Sequence, residues 1–518
     1  MNGARALLST LVDAGVDVCF ANPGTSEMHF VAALDDVPAM RGVLCLFEGV
    51  VTGAADGYGR IAGRPATTLL HLGPGLGNGL ANLHNARRAH TPVVNVVGDH
   101  ATYHARYDAP LQSDIASIAS AVSGWYRSTA RADDVAGDAA DTVAAAMGPP
   151  GCVATLVLPA DASWSESSTG PCAPRPVGRR TVVPADTVDE VAKALRSGER
   201  TALLLGGSAL RADGLHAASR VATATGTALL GETFPANLER GAGIPAVERL
   251  AYFSEMAQSQ LDGVRHLILV DTTSPVSFFA YPGKASDLVP DGCTVHTLAR
   301  PGEDAAGALE SLAEAVGAPV GGGAPAPALR PERPTGALTT ESLAAAVGAV
   351  LPEGAIVVDE GNTSGLFVSS ATAGAPPHDW LTLTGGAIGI GPPMATGAAV
   401  AAPDRPVLCL QADGSAMYTI QALWTQAREG LDVTTIVLSN RAYAILQIEM
   451  HRVQADPPGP TAAALLDLDR PVLDVVALAR GFGVPAVSVS TVADLDSALR
   501  RFLNEPGPSV IEATLPGR

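Results

Sequence analysis

Asp413, Gly414 and Ser415 stand a strand-turn-helix-strand length ahead of Asn440, 27 residues separating Asp413 from Asn440. A hard divalent cation such as Mg2+ takes about six oxygens, mixing carboxylate, amide, backbone carbonyl, phosphate and water. Asp413 and Asn440 supply a carboxylate and an amide oxygen, so the pair could hold a metal-bound diphosphate. An isolated Asp-Gly-Ser is as well suited to a turn and helix cap. The force of the motif therefore lies in the elements around it.

Pro406 to Ala412 reads as a buried strand, and apolar Met417, Ile420, Leu423, Trp424 and Ala427 then recur at helical spacing up to a stop at Gly430. Asp432 to Ser439 reads as the next strand, which a right-handed crossover sets parallel to the first. Asp413 and Asn440 then emerge at one carboxyl-end crevice, where open α/β sheets bind ligands. A helix beginning beside Ser415 turns its N–H groups and positive dipole end toward a diphosphate there.

The same rhythm runs through the whole chain. Apolar runs at 17–20, 43–47, 66–70, 92–97 and 153–158 alternate with helical stretches and Gly-rich turns, which predicts a parallel α/β domain over residues 1–165. Ser, Pro and Gly crowd Ala162 to Pro184. A second α/β pattern over 185–318 has strand candidates at 202–205, 228–230 and 266–270. A Pro/Gly-rich linker is expected at 319–335, and a third α/β domain over 336–518 with strands at 355–358, 407–410, 434–438 and 510–513. The fold expected is α/β, three domains with parallel sheets.

Composition narrows the partners. With 52 acidic and 33 basic residues the formal charge is −19, which opposes nonspecific binding to nucleic acid or an anionic membrane. No apolar run reaches the roughly 18 residues of a membrane helix. Near the start only Arg5 is basic, and Asp13 and Asp17 interrupt the apolar stretch a signal peptide needs, so a cytoplasmic location is expected. The six cysteines form no CxxC pair and are expected to be reduced.

The Asp413-Gly414-Ser415 and Asn440 pattern resembles the metal and diphosphate motif of thiamine diphosphate-dependent enzymes, with Ala412 at its leading glycine and Ser439 at the first of its two asparagines. The resemblance covers nearly the whole chain and points to the branch containing benzoylformate decarboxylase and acetolactate synthase. It implies pyrimidine-binding, central and diphosphate-binding domains, thiamine diphosphate and Mg2+ as cofactors, and a homodimer or homotetramer whose sites are shared between subunits.

The resemblance also implies site residues. Asp413, Asn440 and the backbone carbonyl of Ala442 match metal ligands, and Gly414, Ser415 and Tyr443 flank the cofactor. Asn362 and Thr363, in Asp359-Glu-Gly-Asn-Thr-Ser364, match a loop that contacts the diphosphate. Ile388, within Gly385-Gly386-Ala-Ile-Gly389, matches the apolar residue that bends the cofactor. Glu48 matches the glutamate that bonds the aminopyrimidine. Thr25, with Ser26 adjacent, aligns with a serine that holds the substrate carboxylate, His71 with a catalytic histidine, and Gln112 with an active-site glutamine of acetolactate synthase.

Two departures bear on the reaction. Ser277-Phe-Phe-Ala-Tyr281 stands where benzoylformate decarboxylase has a second histidine, and Val270-Asp-Thr-Thr-Ser-Pro275 where acetolactate synthases have a flavin-binding stretch, which argues against bound FAD. The implied substrate is a 2-oxo acid that loses carbon dioxide to give an enamine. Protonation of the enamine makes the protein a decarboxylase, the favoured expectation, whereas attack on an acceptor carbonyl makes it an acetolactate synthase-type carboligase. A catalytically silent cofactor-binding homologue is the alternative of a different class, and the retained Glu48 argues against it.

Overall fold

A computed structural model of the chain describes residues 1–516. Three sheets form in sequence order. The first has the strand order β2-β1-β3-β4-β6-β5 and is parallel throughout. Its strands are β1 (Val18–Ala21), β2 (Arg41–Leu44), β3 (Thr67–His71), β4 (Val93–Asp99), β5 (Trp125–Ser128) and β6 (Val153–Pro159). The second, in the order β10-β8-β7-β11-β12, uses β7 (Thr201–Leu205), β8 (Ala228–Gly231), β10 (Glu248–Arg249), β11 (His266–Val270) and β12 (Thr294–Ala299).

The third sheet runs β17-β18-β16-β15-β13-β14-β9. It comprises β13 (Ile356–Glu360), β14 (His378–Thr382), β15 (Val407–Ala412), β16 (Val433–Ser439), β17 (Ala486–Val489) and β18 (Ser509–Thr514), with β9 (Leu238–Arg240) arriving from the middle of the chain as an antiparallel edge. The expected α/β class with three parallel-sheet units is the fold observed. Residues 319–335 hold no helix or strand, and isolated bridges lay Pro325 against Pro245 and Leu329 against Gly374.

One apolar core joins the first and third units. Val50, Val51, Ala54 and Tyr58 of the helix Glu48–Ala62 pack with Met394 and Ala398 of the helix Gly391–Ala401 and with its cap residue Ile390. Their backbones approach too closely for side chains at two crossings. A Cβ on Gly57 would lie 2.1 Å from the Met394 carbonyl oxygen, and one on Gly397 would lie 1.8 Å from that of Ala54. Arg60 links all three units: buried against Asp56, it donates to the carbonyls of Thr382 (2.7 Å) and Ala236 (3.3 Å).

Two local expectations need correction. The strand expected at 43–47 pairs only over Arg41–Leu44, because Phe47 is already the cap residue of the helix that Glu48 begins, where a carboxylate suits the helix dipole. The helix expected through Met417 is broken: a short turn, Asp413–Ala416, precedes a second helix, Ala422–Glu429. Thr419 directs its hydroxyl to the Gly389 carbonyl at 2.7 Å in that break.

Candidate functional site

Three neighbouring strands of the third sheet end at one crevice. β13 leads to the turn Asn362–Ser364, β15 to Asp413, and β16 to Asn440. Side chains tie these ends together. Asn362 Nδ2 donates to Ser415 Oγ at 3.0 Å, and Asn440 Nδ2 donates to Ser364 Oγ at 3.2 Å. Asp413 Oδ2 accepts from the Arg441 N–H at 2.7 Å while Oδ1 accepts from its neighbour Gly414 at 2.8 Å.

Arg441 adopts φ 59° and Asn362 φ 46°, a left-handed conformation that costs free energy for residues with side chains. The Arg441 N–H bond to Asp413 offsets that cost and fixes the chain leading to Ala442 and Tyr443. The Tyr443 ring covers Gly414 so closely that a Cβ there would lie 2.6 Å from Cε1. Burial raises the Asp413 carboxyl above its ordinary range, opposed by the N–H groups of Arg441 and Gly414. The crevice thus gathers a carboxylate held by backbone N–H groups and two amide–hydroxyl pairs at adjacent strand ends. That donor set fits a hard cation and its phosphate oxygens. Among the described residues no hydrogen bond places Thr363 in the network.

The turn bearing Ile388 lies beside it. Gly386 and Gly389 adopt φ 75° and 89°, and Phe278 from the middle of the chain lies on Gly386, where a Cβ would meet its Cζ at 2.6 Å. Ile388 is half-buried against the shared core.

The remaining expected residues gather at the carboxyl end of the first sheet. Glu48 opens its helix, and its Oε2 accepts from Asn78 Nδ2 at 3.0 Å. A Cβ on Gly75 would come within 3.3 Å of Glu48 Oε1. Thr25 and Ser26 occupy the short 3-10 turn Thr25–Glu27. His71, at the end of β3, lies over Gly24 and pairs through Nδ1 with Glu27 Oε2 at 2.8 Å. Gln112 sits in the loop that packs on Gly73, and its Oε1 is buried without a partner.

Glu27 was not singled out in the sequence, yet it is 1% exposed, also accepts from the Gly24 N–H at 2.7 Å, and keeps Oε1 unpartnered. Burial raises its carboxyl, with His71 and the Gly24 N–H opposing. Asn78 was missed too. It belongs with Asn82 and Asn85 to a stripe at helical spacing on the helix Leu72–Arg88, where Asn82 donates to the Gly49 carbonyl at 2.7 Å and Asn85 to that of Ala387 at 2.8 Å. That spacing was the readable signal. Among the described residues no hydrogen bond or ion pair joins Glu48 or His71 directly to Asp413, Asn440 or Ile388.

In the middle unit, the carboxyl ends of β7, β8 and β11 are occupied by acids. Asp271 Oδ2 accepts from the Ser208 N–H at 2.8 Å and its hydroxyl at 2.6 Å, while Glu232 accepts from the Gly207 N–H and the Thr272 hydroxyl, each at 3.3 Å. Burial pushes Glu232 up to about 7.

Three mainly parallel sheets, the third ending in an oxygen-lined crevice, define a three-unit α/β protein. The chain belongs to the thiamine pyrophosphate enzymes: the N-terminal TPP binding domain of that family matches residues 1–122 and the C-terminal TPP binding domain matches residues 360–513. It is 62% identical to a Mycobacterium tuberculosis protein described as "Putative acetolactate synthase large subunit IlvX", over 100% of this chain and 99% of that one. It is 30% identical to benzoylformate decarboxylase of Pseudomonas aeruginosa, over 96% of each. The fold matches the thiamine diphosphate-dependent 4-hydroxybenzoylformate decarboxylase of Rhodococcus jostii RHA1 with a TM-score of 0.87 at 24% identity, covering both chains fully. Among the described residues no helix is long and apolar enough to cross a membrane.

Proposed function

We propose that the chain is a thiamine diphosphate- and Mg2+-dependent enzyme that decarboxylates a 2-oxo acid and joins the acyl unit to an acceptor carbonyl, an acetolactate synthase-type carboligation. The observation that carries the cofactor reading is the convergence of Asn362, Ser364, Asp413, Ser415 and Asn440 at three adjacent strand ends. In this reading Asp413, Asn440 and the Ala442 carbonyl hold Mg2+, while Asn362, Thr363 and Ser415 bind the diphosphate beside Gly414 and Tyr443. When bound, the thiazolium ring supplies the electron sink for loss of carbon dioxide.

Glu48 holds the proton exchanged with the aminopyrimidine, and its Asn78 bond orients the carboxylate. Ile388 and Gly386 shape the floor beneath the cofactor. Thr25 and Ser26 orient the substrate carboxylate, and Gln112 offers its unpartnered Oε1 to the bound molecule. The reading includes a homodimer or homotetramer whose sites are completed by a second copy, the arrangement that the family resemblance implies. Asp271 and Glu232 already take the N–H groups of Gly207 and Ser208 that an anionic cofactor would use, which supports a reading without FAD.

Carboligation is placed ahead of simple decarboxylation because of the 62% identical relative's description and the apolar Phe278-Phe279 pair where a second proton-donating histidine would be expected. The second reading, protonation to an aldehyde, is favoured by the Glu27–His71 pair, which orients an imidazole for proton transfer. Incubating the protein with thiamine diphosphate, Mg2+ and a panel of 2-oxo acids separates the two. Acetohydroxy acid or acyloin supports carboligation, aldehyde alone supports the second reading, and no carbon dioxide from any acid overturns both.

A further inference from the structure

Ile388 is flanked by two peptide groups that are bonded on both sides. Asn85 Oδ1 accepts from the N–H groups of Gly385 (3.1 Å) and Ala387 (3.3 Å), and its Nδ2 donates to the Ala387 carbonyl at 2.8 Å. One side-chain amide thus pairs with Ala387 as a neighbouring strand would. Beyond Ile388, Glu360 Oε1 accepts from the Gly389 N–H at 2.5 Å and Oε2 from the Gly391 N–H at 2.6 Å, while Thr419 donates to the Gly389 carbonyl at 2.7 Å.

These contacts come from separate parts of the fold. Asn85 lies on the pyrimidine-side helix Leu72–Arg88, Glu360 ends β13, and Thr419 lies between the two helical pieces that follow Asp413. The segment they hold contains Gly385, Gly386, Gly389 and Gly391, with left-handed φ at Gly386 and Gly389. Glycine has more backbone freedom to lose than any other residue, so such a segment needs restraint to hold one shape. Asn85 is fully buried and Glu360 is 1% exposed. Burying an amide and a carboxylate is costly unless their bonds are made, and here nearly all those bonds go to the one turn.

We infer that Asn85 and Glu360 are positioning residues that fix the Ile388 side chain beneath the cofactor from opposite sides, which rests on the proposed role of Ile388. Among the described residues neither side chain is hydrogen-bonded to Asn362, Ser364, Asp413, Ser415 or Asn440. Their effect is therefore on the shape of the bound cofactor and not on its retention.

The test uses the full-length protein and its Asn85→Ala and Glu360→Gln variants, loaded with thiamine diphosphate and Mg2+. Calorimetry reads cofactor affinity, and quenched NMR in D2O reads exchange of the thiazolium C2 proton. Exchange is expected to slow about 10- to 100-fold in each variant, since an ångström of misplacement costs that much, with affinity changed less than about threefold. Wild-type exchange rates at saturating cofactor would overturn the inference, as would lost affinity with unchanged exchange in the bound fraction. If Asn85→Ala does not fold, Asn85→Asp decides: it keeps the acceptor and loses the donor to Ala387. Failure of the wild type to bind the cofactor at all overturns the underlying reading instead, and is seen before any variant is made.

Discussion

His71 Nδ1 stands 2.8 Å from Glu27 Oε2, and that carboxylate is almost wholly shielded from water. A donor at Nδ1 fixes the ring so that Nε2 is left free to take or give a proton. The His71 side chain is 22% exposed, so its outer edge is reachable while its inner edge is held. Glu27→Ala is therefore expected to lower kcat about 100-fold, the scale of a lost general acid or base, with little change in KM. Steady-state kinetics with the 2-oxo acid that turns over fastest would measure it, beside a melting curve to separate lost capping at Gly24. An unchanged kcat would remove the pair from the proton path.

Asp413 places a carboxylate at the strand end beside Asn440, and its two oxygens are already set by the N–H groups of Gly414 and Arg441. Asp413→Ala is expected to weaken Mg2+-dependent cofactor binding about 100-fold, ~2.8 kcal/mol. Calorimetric titration of thiamine diphosphate with and without Mg2+ reads this directly. Equal affinity in both conditions for the wild type would show that no metal bridges Asp413 and the diphosphate.

Glu232 links stability to pH. Its carboxyl is raised from 4.5 to about 7, first by burial and further by neighbouring Asp271, against the Gly207 and Thr272 bonds. A raised acid binds its proton more tightly in the folded state, so its contribution is fully present below pH 4.5 and is lost as the pH rises through about 7. Glu232→Gln keeps an acceptor for Gly207 and gives Thr272 a donor. The variant is expected to match the wild type near pH 4 and to exceed it near pH 8 by on the order of 2 kcal/mol, allowing for partial exposure. Urea unfolding at the two pH values tests it; parallel curves would show that Glu232 does not titrate in this range.

The α/β class and the alternation of strands were legible because buried parallel strands such as Val407–Ala412 and Val433–Ser439 are nearly continuous apolar runs. β14 was not, because His378 and Asp379 look like loop residues. In the fold Asp379 meets Arg211 and Arg405, and His378 bonds the Pro376 carbonyl through Nδ1, so the charge is paired and one ring nitrogen is bonded inside. Asp413 and Asn440 could be paired from spacing alone, since one crossover brings successive strand ends together. Glu27, Asn85 and Glu360 could not: their partners lie on other elements, at His71, Ala387 and Gly389, and no local pattern records those contacts.

Phe278 links the middle unit to the turn bearing Ile388 and sets the last expectation. Its ring stands 5.6 Å from Phe234, 5.3 Å from Tyr252 and 5.0 Å from Phe279. Behind them Arg452, on the helix Ala444–Arg452, stacks over Phe253 at 4.6 Å and Tyr281 at 4.5 Å. The helix that follows Tyr443 is thereby tied to the same aromatic group. Phe278 and Phe279 are 42% and 52% exposed, leaving an apolar ring surface beside Gly386. Under the proposed function that surface faces the acyl group of the 2-oxo acid, and aromatic rings reward large apolar groups there. Phe278→Ala is expected to cut kcat/KM for aryl or branched 2-oxo acids about 10-fold relative to pyruvate, within the 1–3 kcal/mol or so that an apolar pocket contact discriminates. Competition between two acids in one reaction measures the ratio without reference to enzyme concentration. An unaltered ratio would place Phe278 outside the substrate pocket while leaving the cofactor site as described.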